Sequence, residues 1–212
     1  MTIPSSTTDA PTDGSRFRTI TARVLLFVWA PMVLLVLSSL MTGHWAPLPT
    51  PQAHDATLRR GLAELPARAR FDDWTAYHVL YSGCRCSRFV FDYVAERPTP
   101  TGLREVVLLV GAPDEEFAAA CRERDMPCIV LSQEQLEQRF GIEAAPLLLV
   151  TAPGHEVAYL GGYTDRKQAI DYRDLEIVER LRAGEQVDPM PVFGCGVSSS
   201  LQDALDPFGI KY

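Results

Sequence analysis

The chain has 212 residues, of which 47% are hydrophobic, and this is enough for one full-sized core and some additional segments. The net charge of −7 and the lack of a basic stretch with interleaved aromatic residues exclude nucleic acid as a partner. Residues 1–15 are polar and rich in turn-forming residues. We therefore expect a disordered tail over residues 1–23, which ends in a basic flank.

An uninterrupted apolar segment follows over residues 24–41 and is long enough to cross a bilayer as one helix. Arg16, Arg18 and Arg23 precede it, and no basic residue stands close behind it. The positive-inside rule therefore places residues 1–23 in the cytoplasm. The prediction is a single-pass protein of the cell (inner) membrane, anchored through residues 24–41, with a periplasmic or otherwise extracytoplasmic globular part.

A cleaved signal peptide is the alternative interpretation of this segment, because it also combines positive charge with an apolar stretch. We favour an anchor, since the apolar part is long, no A-x-A pattern follows, and Pro47 stands where a mature chain would begin. The prolines that follow predict a semi-rigid spacer over residues 42–57. The globular domain is then expected over residues 58–188, and a C-terminal extension with a cysteine over residues 189–212.

The globular part begins with a strand, a helix and a second strand. T-A-Y-H-V-L-Y (75–81) is rich in β-branched and aromatic residues and predicts a strand. Apolar residues at helical spacing predict a helix from Cys86 to a point before Pro98. E-V-V-L-L-V (105–110) has the length and composition of a buried strand in a parallel sheet.

The same alternation continues along the chain. Pro113 and the acidic residues after it predict the start of a helix. C-I-V-L (128–131) predicts a short strand, and Ser132 with Gln135 forms a capping box for the next helix. The sequence therefore predicts an α/β domain.

The last elements are a hairpin and a helix. Residues 147–160 predict two strands joined at the turn T-A-P-G. A final helix is expected over residues 165–184, because four apolar residues fall close to one face: Ile170, Leu175, Val178 and Leu181.

This order of elements resembles the thioredoxin-like superfamily over roughly residues 75–184. The resemblance is carried by H-V-L-Y-S-G-C-R-C, by I-E-A-A-P-L-L-L-V and by the glycine pair after the last strand. It implies a thioredoxin-like fold with a central mixed sheet flanked by helices. It also implies a cis Pro146 against the active-site cysteines, with Ala145 offering backbone to a bound peptide. The anchored domain is similar to the TlpA and ResA proteins, and the C-x-C with F-G-C-G-V-S is similar to RedB-like proteins.

The cysteine spacing departs from the C-x-x-C of that superfamily, and two registers are open. In the first, Cys84 is the nucleophile, Ser87 stands at the resolving position and Cys86 is an added thiol. In the second, Cys86 is the resolving thiol and Gly83 replaces the nucleophile. We favour the first register, because it places His78 where the superfamily often has a buried polar residue. His78 is then a candidate proton relay.

The position of the pair predicts a reactive thiol. A helix N-terminus together with Arg85 and Arg88 favours the thiolate form of Cys84. Attack of this thiolate on a disulfide gives a mixed disulfide, which a second thiol such as Cys86 then releases. A Cys-x-Cys ring is small, and we expect its disulfide to be strained and oxidising. Structural packing of both cysteines is the alternative.

The other cysteines leave further alternatives open. Cys195 lies between two glycines in the extension, either as a resolving thiol or as a buried small residue in a turn. Cys121 and Cys128 are expected to pack in the core, although a disulfide between them is possible outside the cytoplasm. If the protein binds a metal instead, its ligands would be Cys84, Cys86 and Cys195, with His78 as the nearest histidine.

These observations predict a membrane-anchored thiol-disulfide oxidoreductase that acts on a protein with thiols or a disulfide. The predicted site residues are Cys84, Cys86, Pro146 and His78, with Cys195 as a possible additional thiol. No dissociable cofactor and no metal are required. The sequence does not specify the electron donor or oxidant. The alternative functions are a copper-binding chaperone and a catalytically silent docking domain.

Overall fold

The computed structural model describes residues 13–45, 47–167, 170–206 and 209. The chain divides into two compact units, Met1–Trp45 and Ala46–Tyr212. Helix α1 (Asp13–Trp45) belongs to the first unit. Residues 13–23 of the predicted disordered tail are thus helical, because the stretch R-F-R-T-I-T-A-R contains no residue that would stop the helix. The rest of that tail lies outside the described residues.

The apolar part of α1 is long enough to cross a membrane. Ile20–Ser38 has a mean hydropathy of 2.3, and none of it is buried. Large apolar side chains are exposed at every position from Val24 to Trp29, so the apolar surface runs around the helix. This stretch begins and ends slightly before the predicted span of residues 24–41. A signal sequence near the N-terminus has the same properties.

The described residues of the second unit form seven strands: β1 (Thr75–Tyr81), β2 (Arg104–Val110), β3 (Cys128–Leu131), β4 (Ala144–Ala145), β5 (Leu147–Thr151), β6 (Val157–Gly161) and β7 (Cys195–Gly196). Five strands make one sheet in the order β3-β2-β1-β5-β6, and β4 pairs separately with β7. Neighbours among β1, β2 and β3 run parallel, whereas β5 runs antiparallel to both β1 and β6.

The described helices of this unit are α2 (Ala56–Ala63), α3 (Arg85–Glu96), α4 (Glu115–Glu123), α5 (Gln133–Phe140), α6 (Asp174–Arg182) and α7 (Ser199–Leu205), with a 3-10 helix at Ala67–Ala69. Alternate residues of β1 enter two different cores. Tyr77 and Val79 join apolar residues of α2 and α5, whereas Ala76 and Leu80 join those of α3, α4 and α6. Helices therefore cover both faces of the sheet, which explains why its strands are apolar throughout.

A mixed sheet of this order, with the first strand leading into a cysteine-bearing helix, confirms the predicted thioredoxin-like α/β fold. Local signals placed several elements correctly. β1 has the predicted bounds. The capping box is present, because the Ser132 hydroxyl accepts from the Gln135 N–H while the Gln135 side chain accepts from the Ser132 N–H.

The predicted final helix over residues 165–184 was too long. Helix α6 begins only at Asp174, and Ile170 lies before it with 87% of its surface exposed. The backbone N–H of Arg173 donates to the carbonyl of Tyr163 at 3.0 Å, so this part of the chain is bonded to the end of the hairpin. The helical spacing of Ile170 relative to the apolar residues of α6 therefore does not reflect a shared buried face.

Two described segments of the second unit, one near Leu48 and one from Val192 to Val197, pack into the core. Leu48, in the segment predicted as a spacer, is buried and forms an isolated antiparallel bridge with Val192. The backbone N–H of Val197 donates to the carbonyl of Glu143 at 2.6 Å. Both Val192 and Val197 belong to the core on the α2 and α5 side. The C-terminal segment is therefore held by buried side chains as well as by strand pairing.

Candidate thiol-redox site

Cys84 is the N-cap residue of α3 and is separated from the end of β1 by Ser82 and Gly83. Its N–H donates to the carbonyl of Tyr81 at 2.9 Å, and its own carbonyl accepts from the N–H of Arg88 at 3.1 Å. The side chain is 1% exposed. The junction of strand and helix thus places a buried thiol at a helix N-terminus, where the macrodipole favours negative charge.

The Ala145–Pro146 turn lies against this thiol. The peptide bond between the two residues is cis, as the resemblance implied, and both residues are buried. The Cys84 thiol donates to the carbonyl of Ala145, with 3.9 Å between sulfur and oxygen. The fold therefore brings two predicted site residues, Cys84 and Pro146, to one place from distant parts of the chain.

Cys195 reaches the same place through strand pairing. In the antiparallel pair of β4 and β7, Cys195 is the direct partner of Ala145, and Gly196 is the partner of Ala144. Side chains of such opposed residues lie on the same face of the pair. The resemblance implied that the backbone of Ala145 binds a peptide. In this structure that backbone is paired with the protein's own strand β7.

Three cysteines consequently form one group, which we call the thiol cluster: Cys84, Cys86 and Cys195. None of the three forms a disulfide in the structure. The side chains of Cys195 and Cys86 both hydrogen-bond with that of Cys84. These bonds, that from Cys195 foremost, lower the pKa of Cys84 far below the ordinary range, although burial acts in the opposite direction. These hydrogen bonds therefore favour the thiolate form of Cys84.

Ser87 adds to this stabilisation. It stands at the position where the favoured register replaces a resolving cysteine, and it is buried. Its backbone and its hydroxyl both hydrogen-bond with Cys84 and lower the pKa of the thiol. The hydroxyl oxygen also accepts from the N–H of Tyr81 at 3.0 Å. Because an alcohol cannot form a disulfide, Ser87 contributes hydrogen bonds and no redox chemistry.

The two arginines near the pair are engaged elsewhere. The Arg88 guanidinium donates to Asp92 at 2.8 Å and pairs with two further carboxylates on and before α4, Asp114 and Glu116. The Arg85 guanidinium lies over the Phe89 ring, 5.2 Å from its centroid. The thiolate of Cys84 is thus stabilised by hydrogen bonds, and the predicted contribution of arginine charge is not among its causes.

His78 is fully buried and lies in a polar network on the α6 side of the sheet. Nδ1 is 2.8 Å from the Tyr163 hydroxyl, and Nε2 is 3.2 Å from Oε1 of Glu105. Arg97 joins Glu105 to Asp174, with N–O distances of 2.5 and 2.7 Å. Both ring nitrogens of His78 therefore have partners within this network, which we call the buried ionic network.

The sequence did not identify most of this network. Glu105 opens an apolar strand, and Arg97 stands next to a proline at the end of a helix. Charged residues in such positions are usually exposed, and only the fold buries these two with Asp174. The hydroxyl of Tyr163 was also missed, because nothing in the local sequence connects it with His78, 85 residues away.

The described residues offer no arrangement for a metal. No group of three or more histidine, cysteine, aspartate or glutamate side chains among them is placed to hold an ion. The thiol cluster is joined by hydrogen bonds, and the nearest histidine considered from the sequence, His78, is bound to Tyr163 and Glu105.

No protein-family model and no curated protein matches this chain. An uncharacterized conserved protein from Geobacillus kaustophilus is 14% identical over 73% of this chain and 90% of its own, with a TM-score of 0.49. A thioredoxin-like protein solved in the oxidized form is 17% identical over 57% and 86%, with a TM-score of 0.44. A secreted Mycobacterium tuberculosis disulfide oxidoreductase homologous to E. coli DsbE is 7% identical over 51% and 82%, with a TM-score of 0.37. The thioredoxin-like class of this chain is defined by its own strand order and site.

Proposed function

We propose that this protein carries out thiol-disulfide exchange with a partner protein through Cys84. One observation carries the proposal: the Cys84 thiol lies at a helix N-terminus, against the Ala145–Pro146 turn, and hydrogen-bonds with two other thiols. A packing role alone would not require three thiols to converge on one helix end. A helix N-terminus and nearby hydrogen-bond donors are the features that activate a cysteine as a nucleophile.

The reaction starts with the Cys84 thiolate and a disulfide of the partner. Attack forms a bond between the Cys84 sulfur and one partner sulfur, and the other partner sulfur leaves as a thiolate. A second thiol of the cluster then attacks the Cys84 sulfur and releases the reduced partner. Two protein thiols are thereby oxidised, and the partner disulfide is reduced. The reverse sequence oxidises a partner dithiol.

Burial of Cys84 limits how a partner approaches. Cys84 is 1% exposed, whereas Cys86 is exposed on the first turn of α3 and Cys195 is half-buried. A partner disulfide therefore reaches Cys84 only after neighbouring side chains move aside. Pro146 forms the cis bond of the turn whose Ala145 carbonyl accepts from the Cys84 thiol, and a role of His78 as a proton relay stays a prediction.

The proposed place of action is outside the cytoplasm, with the protein held in the cell membrane by α1. The apolar stretch Ile20–Ser38 supports an anchor. Arg16, Arg18 and Arg23 on its N-terminal side support an inward-facing N-terminus. The thiol-bearing unit would then lie in the compartment where protein disulfides persist.

The test is a redox titration of the full-length protein in detergent micelles, equilibrated with mixtures of reduced and oxidised glutathione. We expect one dithiol-disulfide couple that Cys84→Ser abolishes and Cys121→Ser leaves in place. The Cys121→Ser control removes a buried thiol from another core region. A titration without any Cys84-dependent couple contradicts the proposal, and copper retained through purification by thiol ligands would support a carrier instead.

A further inference from the structure

The C-terminal segment brings Cys195 into the site in a fixed position. β7 is paired with β4 in register, with Cys195 opposite Ala145, whose carbonyl accepts from the Cys84 thiol. Residues on both sides of β7 are anchored, because Val192 and Val197 are buried in the core. The backbone position of Cys195 is therefore fixed by strand pairing and by buried residues on both sides of it.

The glycine before Cys195 makes this approach possible. A Cβ atom at Gly194 would overlap the carbonyl oxygen of Ala145 and would lie 2.6 Å from Cδ of Pro146. The backbone of Gly194 therefore passes directly over the Ala145–Pro146 turn. Any larger residue at this position would push β7, and Cys195 with it, away from Cys84.

The end of the segment is held by a second set of contacts. The N–H groups of Val197 and Ser198 both donate to the carbonyl of Glu143, at 2.6 and 3.3 Å. The Ser198 hydroxyl donates to the Glu143 carboxylate at 3.1 Å and also caps α7. These bonds fix the chain immediately after Cys195. The distance between its thiol and Cys84 is therefore set by the fold.

Cys86 is placed less well for a disulfide with Cys84. Only Arg85 separates the two cysteines, so a disulfide between them would close a small ring even though their side chains hydrogen-bond. The first bond of the helix joins the Arg88 N–H to the Cys84 carbonyl. Closing the small Cys84–Cys86 ring would distort this turn, whereas a Cys84–Cys195 disulfide joins two side chains that already hydrogen-bond and closes no small ring.

We infer that Cys195 is the resolving thiol of this site, and that the internal disulfide of the oxidised protein joins Cys84 to Cys195. This inference rests on the proposed function. The Cys84 thiolate attacks a partner disulfide, forms a mixed disulfide and displaces one partner thiolate. The Cys195 thiol, after losing its proton to solvent, attacks the Cys84 sulfur and displaces the second partner thiolate. Two electrons pass from Cys84 and Cys195 to the partner, and Cys86 remains a thiol.

The test uses oxidised glutathione as the probe and peptide mapping as the measurement. The reduced full-length protein is exposed to oxidised glutathione, its remaining thiols are blocked in acid, and trypsin is applied. Cleavage after Arg85 separates the two neighbouring cysteines, so that Cys84, Cys86 and Cys195 fall in peptides 71–85, 86–88 and 183–211. Each possible disulfide therefore gives a different linked pair.

We expect the wild-type protein to give the linked pair 71–85 with 183–211, and Cys86→Ser to give the same pair. Cys195→Ser should lose it and accumulate Cys84 as a mixed disulfide with glutathione. Gly194→Val should behave like Cys195→Ser, although it retains all cysteines. Thermal unfolding followed by circular dichroism checks that each variant is folded, and Cys195→Ala is a second variant should the serine disturb β7.

Two outcomes separate this inference from the proposed function. If peptide 71–85 is linked to 86–88, or 86–88 to 183–211, Cys195 is not the resolving thiol of Cys84, while a Cys84-dependent exchange can still stand. If Cys84 acquires neither glutathione nor a protein disulfide in any variant, the proposed function itself fails.

Discussion

Two regions of the same domain bring cysteines together, and they treat the thiol group in opposite ways. In the thiol cluster, Cys84 lies at the N-terminus of α3, and hydrogen bonds lower its pKa. In the second region, Cys121 lies in the last turn of α4 with Cys128 at the start of β3. A hydrogen bond with Cys128, together with burial, raises the pKa of the Cys121 thiol.

The difference lies in the hydrogen bonds of each thiol and in its position on the helix, since both Cys84 and Cys121 are almost fully buried. At a helix N-terminus, backbone N–H groups and the macrodipole stabilise an anion, whereas a helix C-terminus disfavours it. Apolar neighbours such as Phe117 and Met126 surround Cys121 in its core. Burial therefore predicts an inert thiol only where no donors converge on the sulfur.

The sharpest test of this comparison is the ultraviolet absorbance of thiolate as the pH is lowered. Because the pKa of Cys84 is lowered, its thiolate should persist when the pH falls well below the ordinary range of a thiol. Cys84→Ser should remove this absorbance completely, and Cys121→Ser should leave it. If an acid-stable thiolate signal survives in Cys84→Ser, Cys84 is not the source of the signal, and the proposed difference between Cys84 and Cys121 is wrong.

A third part of the domain, the buried ionic network, should instead govern stability. Arg97→Met leaves Glu105 and Asp174 as buried carboxylates without their shared partner, and we expect a loss of about 3–5 kcal/mol in the free energy of unfolding. Arg122→Met is the matched control, because its ion pair with Glu115 is exposed and contributes about 0–1 kcal/mol. Urea unfolding measures both. Equal losses in the two variants would show that the buried network is not stabilising.

Acid should weaken the same region. Burial alone would raise the pKa of Glu105, but its hydrogen bond to His78 and the charge of Arg97 lower it from 4.5 to about 2. A carboxyl with a lowered pKa in the folded state stabilises the protein above pH 4.5 and loses this contribution as the pH falls towards 2. The loss should be on the order of 3 kcal/mol. Urea unfolding at several pH values in this range should show a free energy of unfolding that depends less on pH in Glu105→Gln than in the wild type. An equal dependence on pH in both proteins would contradict this role of Glu105.

His78→Gln decides whether the buried ionic network communicates with the thiol cluster. Since both ring nitrogens bind Tyr163 and Glu105, we expect a loss of about 1–3 kcal/mol in stability and an unchanged thiolate titration of Cys84. Urea unfolding and ultraviolet absorbance provide the two readouts. A shift in the pH at which the Cys84 thiolate titrates would support the proton relay. It would also show that the buried ionic network and the thiol cluster act as one functional unit.

The smallest effect is expected at a helix end that belongs neither to the thiol cluster nor to the buried ionic network. Ser132→Ala removes one half of the capping box of α5 and should cost about 1 kcal/mol without altering the thiolate signal. The variant gives a scale for a purely local loss in the same unfolding assay. A change in the Cys84 titration in this variant would show that global stability, rather than position, controls the thiol.

The sequence predicted those features that depend on residues close together in the chain. Runs of β-branched, aromatic and apolar residues predicted β1, β3 and the hairpin, and Ser132 with Gln135 predicted the start of α5. The same periodicity failed before α6, because Ile170 has apolar spacing but no contact to bury it. Local patterns report the preference of a segment and cannot report whether a partner surface exists for it.

The sequence by itself determined that a cysteine stands where a strand turns into a helix, after an N-terminal apolar segment of membrane-spanning length. Only the tertiary structure decided which groups surround that cysteine. The pairing of β7 with β4 brings Cys195 to Ala145, and the α6 side of the sheet gives His78 its partners Tyr163 and Glu105. The physical reason is that such contacts join segments far apart in the chain, and their geometry is fixed by packing of the whole core and not by local propensity.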